Sequence, residues 1–130
     1  MANLPKIIKK TYDNIYEPIP DTVHDIWFDK FPLGGPVQNF PKLTNIKNIY
    51  VIDCDKNFVY YHINKTYFPN VEKIYLASHP CESDVLQQEN VKIYLVNWYQ
   101  TYYDRWAKKD NVELIDNKEI LTLLHSYQVI

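Results

Sequence analysis

Asp53-Cys54-Asp55 stands directly behind the apolar run Ile49-Tyr50-Val51-Ile52. Carboxylates one residue apart at the C-terminal end of a strand are side chains of nucleophilic and acid–base work. Aspartate at such a place also forms turns and caps helices, so Asp53 and Asp55 have a structural reading as well. Ser78 follows a second such run, Lys73 to Ala77, and Asp116 follows a third, Val112 to Ile115. The other reactive types are poorly spaced. His24, His62, His79 and His125 share no i, i+4 spacing for a metal. His79-Pro80-Cys81 brings a thiol near an imidazole, but adjacency in a Pro-containing loop does not position a base on a nucleophile. Both glycines, Gly34 and Gly35, sit in the loop Phe31-Pro32-Leu33-Gly34-Gly35-Pro36, which leaves no glycine-rich phosphate loop.

Behind its four apolar residues, Asp53-Cys54-Asp55 resembles the first motif of haloacid-dehalogenase-type phosphatases. The resemblance implies phosphoryl transfer with Mg2+, in which Asp53 attacks the phosphoryl group and helps hold the metal while Asp55 serves as acid and base. It further implies a phosphate-binding hydroxyl at Ser78, a lysine at Lys108 or Lys109, and a last metal carboxylate at Asp116.

The elements that would position these groups follow from a repeated phrase. Ile49-Tyr50-Val51, Ile74-Tyr75-Leu76 and Ile93-Tyr94-Leu95 each read as the middle of a β-strand, with Ile26-Trp27-Phe28 a copy upstream and Val112-Glu113-Leu114 a worn copy downstream. Strand side chains alternate faces, so Ile, Val and Leu point one way and Trp27, Tyr50, Tyr75, Tyr94 and Glu113 the other. In-register pairing then predicts an aromatic ladder on one face. Connections of about a dozen or more residues favour parallel pairing, because antiparallel hairpins need only short turns.

Apolar Ile8, Tyr12, Ile15 and Tyr16 predict a short N-terminal helix over Pro5 to Tyr16. Trp98, Tyr99, Tyr102, Tyr103 and Trp106 predict an amphipathic helix whose stripe packs on the sheet. Ile120, Leu123, Leu124 and Tyr127 predict another, opened by Asp116 as N-cap with Glu119 three residues on. Asp55 to Thr66 and Ser83 to Gln88 read as weaker helical or irregular connections.

Taking Ile26, Ile49, Ile74, Ile93 and Leu114 as equivalent gives spacings of 23, 25, 19 and 21 residues, within the range of leucine-rich-type repeats. Ile19-Pro20-Asp21-Thr22-Val23-His24-Asp25-Ile26-Trp27-Phe28 with Phe31 resembles the FNIP-type leucine-rich repeats of amoebae and giant DNA viruses. Phe68-Pro69-Asn70-Val71-Glu72-Lys73-Ile74-Tyr75-Leu76 and the run through Ile46, Ile49 and Val51 resemble the general leucine-rich consensus. The resemblance spans about three copies and implies a protein-interaction scaffold without catalytic residues.

Composition narrows the function classes. The chain has 130 residues, 46% of them hydrophobic and 15% aromatic, which excludes a disordered polypeptide. A net charge of -2 gives no general electrostatic ground for nucleic-acid binding, and Lys6, Lys9 and Lys10 read as a solvated face. No stretch has the length of an apolar membrane span, and the N-terminus has no signal-peptide core, so the expected location is intracellular in the producing or host cell, or the virion. Two cysteines, Cys54 and Cys81, are too few for a disulfide framework and read as buried thiols. Thirteen lysines against the single Arg105, with abundant Asn, Ile and Tyr, suit an AT-rich genome such as that of a large DNA virus.

The expected fold is α/β, one domain over residues 1–130, with a mainly parallel sheet of four to five strands and leucine-rich-like repetition. Residues 1–20 form a helical cap, 21–116 the strand repeats and 117–130 a C-terminal helix. The expected function is non-catalytic: no catalytic residue, cofactor or metal, and contact with a protein partner or a second copy, most simply in a homodimer, through Trp27, Tyr50, Tyr75 and Tyr94. The alternative is the phosphatase-like enzyme using Asp53, Asp55, Ser78, Asp116 and Mg2+.

Overall fold

A computed structural model describes residues 4–32, 36–79, 88 and 90–130, with the backbone alone at 106 and 107. Seven strands form one parallel sheet: β1 (Lys6–Lys10), β2 (Asp25–Asp29), β3 (Asn48–Ile52), β4 (Lys73–Ala77), β5 (Lys92–Val96), β6 (Val112–Ile115) and β7 (Gln128–Val129). Their order is β6-β5-β4-β3-β2-β1-β7, so the chain marches one way from β1 to β6 and then returns to the opposite edge. Helix α1 (Lys56–His62) lies between β3 and β4, and α3 (Asn117–His125) lies between β6 and β7. After β5 the backbone coils with changing pitch: a 3-10 turn over Asn97–Tyr99, one α turn, α2 (Gln100–Tyr102), and a π segment over Tyr103–Ala107.

Register is set by side-chain alternation. Ile26, Ile49, Ile74, Ile93 and Val112 lie side by side, and so do Trp27, Tyr50, Tyr75, Tyr94 and Glu113. A slip of one residue would turn every isoleucine onto the other face, which makes this alignment strongly specified. Opposite Ile93 stands Val112 and not Leu114, so the last spacing is 19 residues instead of 21.

The isoleucine face carries the main core. Ile26, Ile49, Ile74 and Ile93 are fully buried beneath residues from the connections, among them Val23, Phe40, Ile46, Phe58, Phe68 and Val91. Right-handed crossovers that advance in one direction must all fall on one side of the sheet, and these do. Phe28 centres an aromatic cluster with Phe31, Phe40, Phe58 and Phe68 at ring separations of 5.2 to 5.9 Å. On the opposite face a second, smaller core joins Tyr50, Tyr75, Ala77, Val96 and Ile115 to Ile120 and Leu124 of α3.

Several expectations are corrected. The N-terminus is not a helix: Lys6–Lys10 is strand β1, and only Tyr12–Asn14 coils, as a 3-10 turn. Paired to β2, the Ile7-Ile8 doublet serves both faces, Ile8 joining the main core and Ile7 the smaller one. Lys10 is correspondingly buried, its ammonium donating to the carbonyls of Asn14 at 3.0 Å and Glu17 at 2.5 Å. Burial lowers its pKa, and the charge of Glu17 acts in the opposite sense. The sheet has seven strands where four to five were expected, because β1 and the two-residue β7 carry too little pattern to read. The stripe after β5 packs through Tyr99, Tyr102 and Tyr103, but Trp98 is 69% exposed. Cys81 and most of the Ser83 to Gln88 connection lie outside the described residues.

Candidate functional site

The C-terminal ends of β3, β4 and β6 carry the residues singled out for phosphate chemistry. Asp53 leaves β3 with φ of 52°, a left-handed conformation that aspartate tolerates better than most residues. Lys30 leaves β2 in the same way, with φ of 55°, and the two amides bond equivalently, Lys30 to the Ile52 carbonyl and Asp53 to that of Ala77. Asp53 is therefore the residue at which the chain turns out of the sheet. Asp55 caps α1, its carboxylate accepting the Asn57 N–H at 2.8 Å. Asp116 caps α3 through the Lys118 N–H at 3.1 Å. The Ser78 hydroxyl is buried, accepts the Cys54 N–H at 2.9 Å and donates to the Val51 carbonyl at 3.3 Å.

Asp53, Asp55 and Ser78 are neighbours at the ends of β3 and β4, joined through the Cys54 N–H that Ser78 accepts, but Asp116 stands apart from them. Asp116 leaves β6, three strands from Asp53, which at strand spacing is about 14 Å. Open α/β sheets bind ligands where strand order reverses, and from β1 to β6 this order does not reverse. Among the described residues no three His, Cys, Asp or Glu side chains cluster as metal ligands, so the donor set for Mg2+ implied by the phosphatase resemblance is not assembled. Cys54 lies buried, its thiol directed to the Phe28 and Ile52 carbonyls, and burial pushes its pKa up to about 12, an inert thiol.

The aromatic ladder is real, and α3 crosses it. Tyr50 and Tyr75 stack at 4.3 Å with 3° between their planes, and Tyr75 and Tyr94 at 4.7 Å with 9°. These separations are close to the spacing of paired strands, so the backbone sets the stack. Tyr127, just beyond α3, sets its ring edge against Tyr50 at 5.7 Å, with the two hydroxyls 3.2 Å apart. Consequently Tyr50 and Tyr75 are 1% and 8% exposed, while Trp27 and Tyr94, at the ends of the ladder, are half-buried. Burial raises the pKa of both buried tyrosines.

Each end of the ladder meets a lysine. The Lys9 ammonium lies 4.3 Å from the centre of the Trp27 ring and 3.7 Å from the Asp29 carboxylate. The Lys92 ammonium lies 5.6 Å from the Tyr94 ring. The Trp27 indole N–H is enclosed without an acceptor among the described residues. Beside the ladder, Asn48 donates to the Asp25 carboxylate at 2.5 Å; burial raises the pKa of Asp25, against the pull of that bond and of His24.

Sequence reasoning weighed His62 only as a metal ligand. Its ring is buried on the connection side, stacked on Phe40 at 4.1 Å, and its Nε2 accepts the Val37 N–H at 2.9 Å. Burial pushes its pKa down to about 4. Only its place in α1, on the side of Phe58 and Val59, could have marked it as an inward residue.

Comparison with known proteins places the chain in context. A family model described as a family of unknown function (DUF5845) matches residues 26–107. One uncharacterized protein of Acanthamoeba polyphaga mimivirus is 44% identical over 82 residues, covering 62% of this chain and 58% of the relative. A second from the same virus is 36% identical over 108 residues, covering 82% of this chain and 76% of the relative. The matched stretch thus spans less than two thirds of the first relative's length. No solved structure matches. These matches overturn the FNIP-type, leucine-rich resemblance, since no such family is among them. What produced the resemblance is local: the Val23 N–H bonds to the Pro20 carbonyl and the Val71 N–H to that of Phe68, turns that feed strands of a one-sided parallel sheet. An Ile-Pro or Phe-Pro step followed by spaced apolar residues meets that requirement without common descent.

Proposed function

We propose, from the premise that this chain belongs to the family of unknown function DUF5845, that it is a non-catalytic interaction or structural protein of giant-virus origin. It contacts a second copy of itself, or another protein, through the ends of the aromatic ladder. The observation that carries the reading is the position of α3: it covers Tyr50 and Tyr75 and leaves Trp27 and Tyr94 half-buried on the same face. Large amphipathic rings at the margin of a patch offer contact area at small entropic cost. The carboxylates at the strand ends support the non-catalytic part, because Asp55 and Asp116 are taken up as helix caps.

Light scattering on the full chain across a concentration series tests this. A dimer that dissociates on Tyr94→Lys, with unchanged circular dichroism, is the expected result. A chain that stays monomeric and cross-links to no partner through Tyr94 or Trp27 would overturn the contact surface. Hydrolysis of p-nitrophenyl phosphate with Mg2+, abolished by Asp53→Asn, would overturn the non-catalytic reading.

A further inference from the structure

On the connection side of the sheet, the segment 36–40 lies over the Phe28 cluster and, among the described residues, is tied to α1 by one hydrogen bond beside the ring contacts of Phe40. The Val37 N–H donates to Nε2 of His62 at 2.9 Å, across 25 residues of chain. Because Nε2 accepts, the neutral ring carries its proton on Nδ1, and that N–H is enclosed without a partner among the described residues. Phe40 stacks on the same ring at 4.1 Å and 15°, and also packs on Phe28, Phe58 and Phe68. Among the described residues, the titratable groups whose rings face the imidazole are Tyr61 on α1 and Tyr67 on the connection after it, at ring separations of 6.3 and 5.2 Å. Phenols carry no charge in acid, and the segment 36–40 meets the ring through Val37 and Phe40.

We propose that His62 is an acid-released latch: protonation of Nε2 sets two N–H donors head to head, frees the segment 36–40 from α1 and uncovers the phenylalanine cluster beneath. An imidazolium at this position would have no acceptor at Val37 and would lie on the face of Phe40, enclosed among Phe58 and Tyr67. Burial among these rings is what opposes the charge. The sign follows by linkage. With the latched ring titrating near 4 and the released ring near the ordinary 6.5, the released state binds more protons between those values. Release is unaffected above about pH 6.5, grows about tenfold per pH unit below it, and levels off near pH 4 at about 300-fold.

Amide hydrogen exchange of the full chain, corrected for intrinsic rates and followed at residues 37–40 and in β3 and β4, tests the latch. The expected result is loss of protection at 37–40 with the tenfold-per-unit slope, while the amides of Ile49 and Ile74 stay protected. His62→Gln, which offers Val37 an acceptor and cannot gain a proton, should flatten the profile. Loss of protection at 37–40 and in the strands together would overturn the proposal, as would a profile flat from pH 7 to pH 4. If His62→Gln does not fold, the His62 ring resonances of the native chain decide. Titration near 6.5 with Val37 still protected overturns the latch, and titration coincident with the Val37 amide supports it.

Discussion

Replacing Ser78 by alanine separates the structural account of the strand ends from the phosphate-binding one. The Ser78 hydroxyl is buried and is the acceptor for the Cys54 N–H at 2.9 Å, next to the left-handed Asp53 where the chain leaves β3. Removing it leaves an enclosed backbone donor without a partner, a loss of about 1 to 3 kcal/mol, and the bond to the Val51 carbonyl goes as well. A central figure of about 2 kcal/mol, at an m of about 2 kcal/mol/M in urea, lowers the denaturation midpoint by about 1 M. For a chain of this size it lowers Tm by about 8 °C. Thr122→Ala is the control, because that hydroxyl donates to the Lys118 carbonyl on the exposed side of α3 and its loss should stay within about 0.5 kcal/mol. Urea unfolding of the three proteins, monitored by circular dichroism, is the assay. A Ser78→Ala midpoint within error of the parent at unchanged m would refute the reasoning, and would mean that the hydroxyl is free for a ligand.

Asp55→Ala and Asp116→Ala should each cost about 1 kcal/mol through a lost N-cap, and Asp→Ser at either position should restore most of it, as read from urea midpoints. Asp53→Asn should be nearly neutral in the same assay, since asparagine also tolerates a φ of 52°, whereas Asp53→Val should cost about 1 to 3 kcal/mol. Burial holds Tyr50, Tyr75, Tyr99 and Tyr127 protonated above the ordinary tyrosine range. Their contribution to stability is complete below about pH 10, where the unfolded chain titrates, and falls as pH rises past that value. Phenolate absorbance in an alkaline titration should show one group of tyrosines ionising freely and the rest only with unfolding.

The sheet was legible where the sequence repeats itself. Ile26, Ile49, Ile74 and Ile93 with their aromatic partners predicted strand centres, parallel pairing and register, because side-chain alternation leaves a two-residue period that no helix shares. At the N-terminus the same logic misled. Ile8, Tyr12, Ile15 and Tyr16 are helically spaced, yet Ile8 belongs to β1 while Tyr12 and Tyr16 are exposed in the turn that follows. Strand β7 gave no signal, since its two residues pair only where α3 delivers them to Pro5 and Ile7. Asp116 was legible as the cap of α3 because capping is local. What that helix would cover was not, because the choice of face depends on the handedness of every crossover before it. That non-local fact decides how much of each tyrosine is accessible.

The one-way strand order also fixes a sequence of events during folding. From β1 to β6 each new strand pairs with the one just completed, so the sheet can lengthen as the chain emerges, closing loops of similar size at each step. Tyr50 and Tyr75 enter that sheet early, but their cover, Ile120, Leu124 and Tyr127, is made only after β6, and β7 closes on β1 after it. A chain made only as far as β6 therefore presents a stacked tyrosine column and an open β1 edge until α3 and β7 dock. That window is the one in which the protein is most prone to misassociate, and chain ends shortened before Ile120 would keep it open.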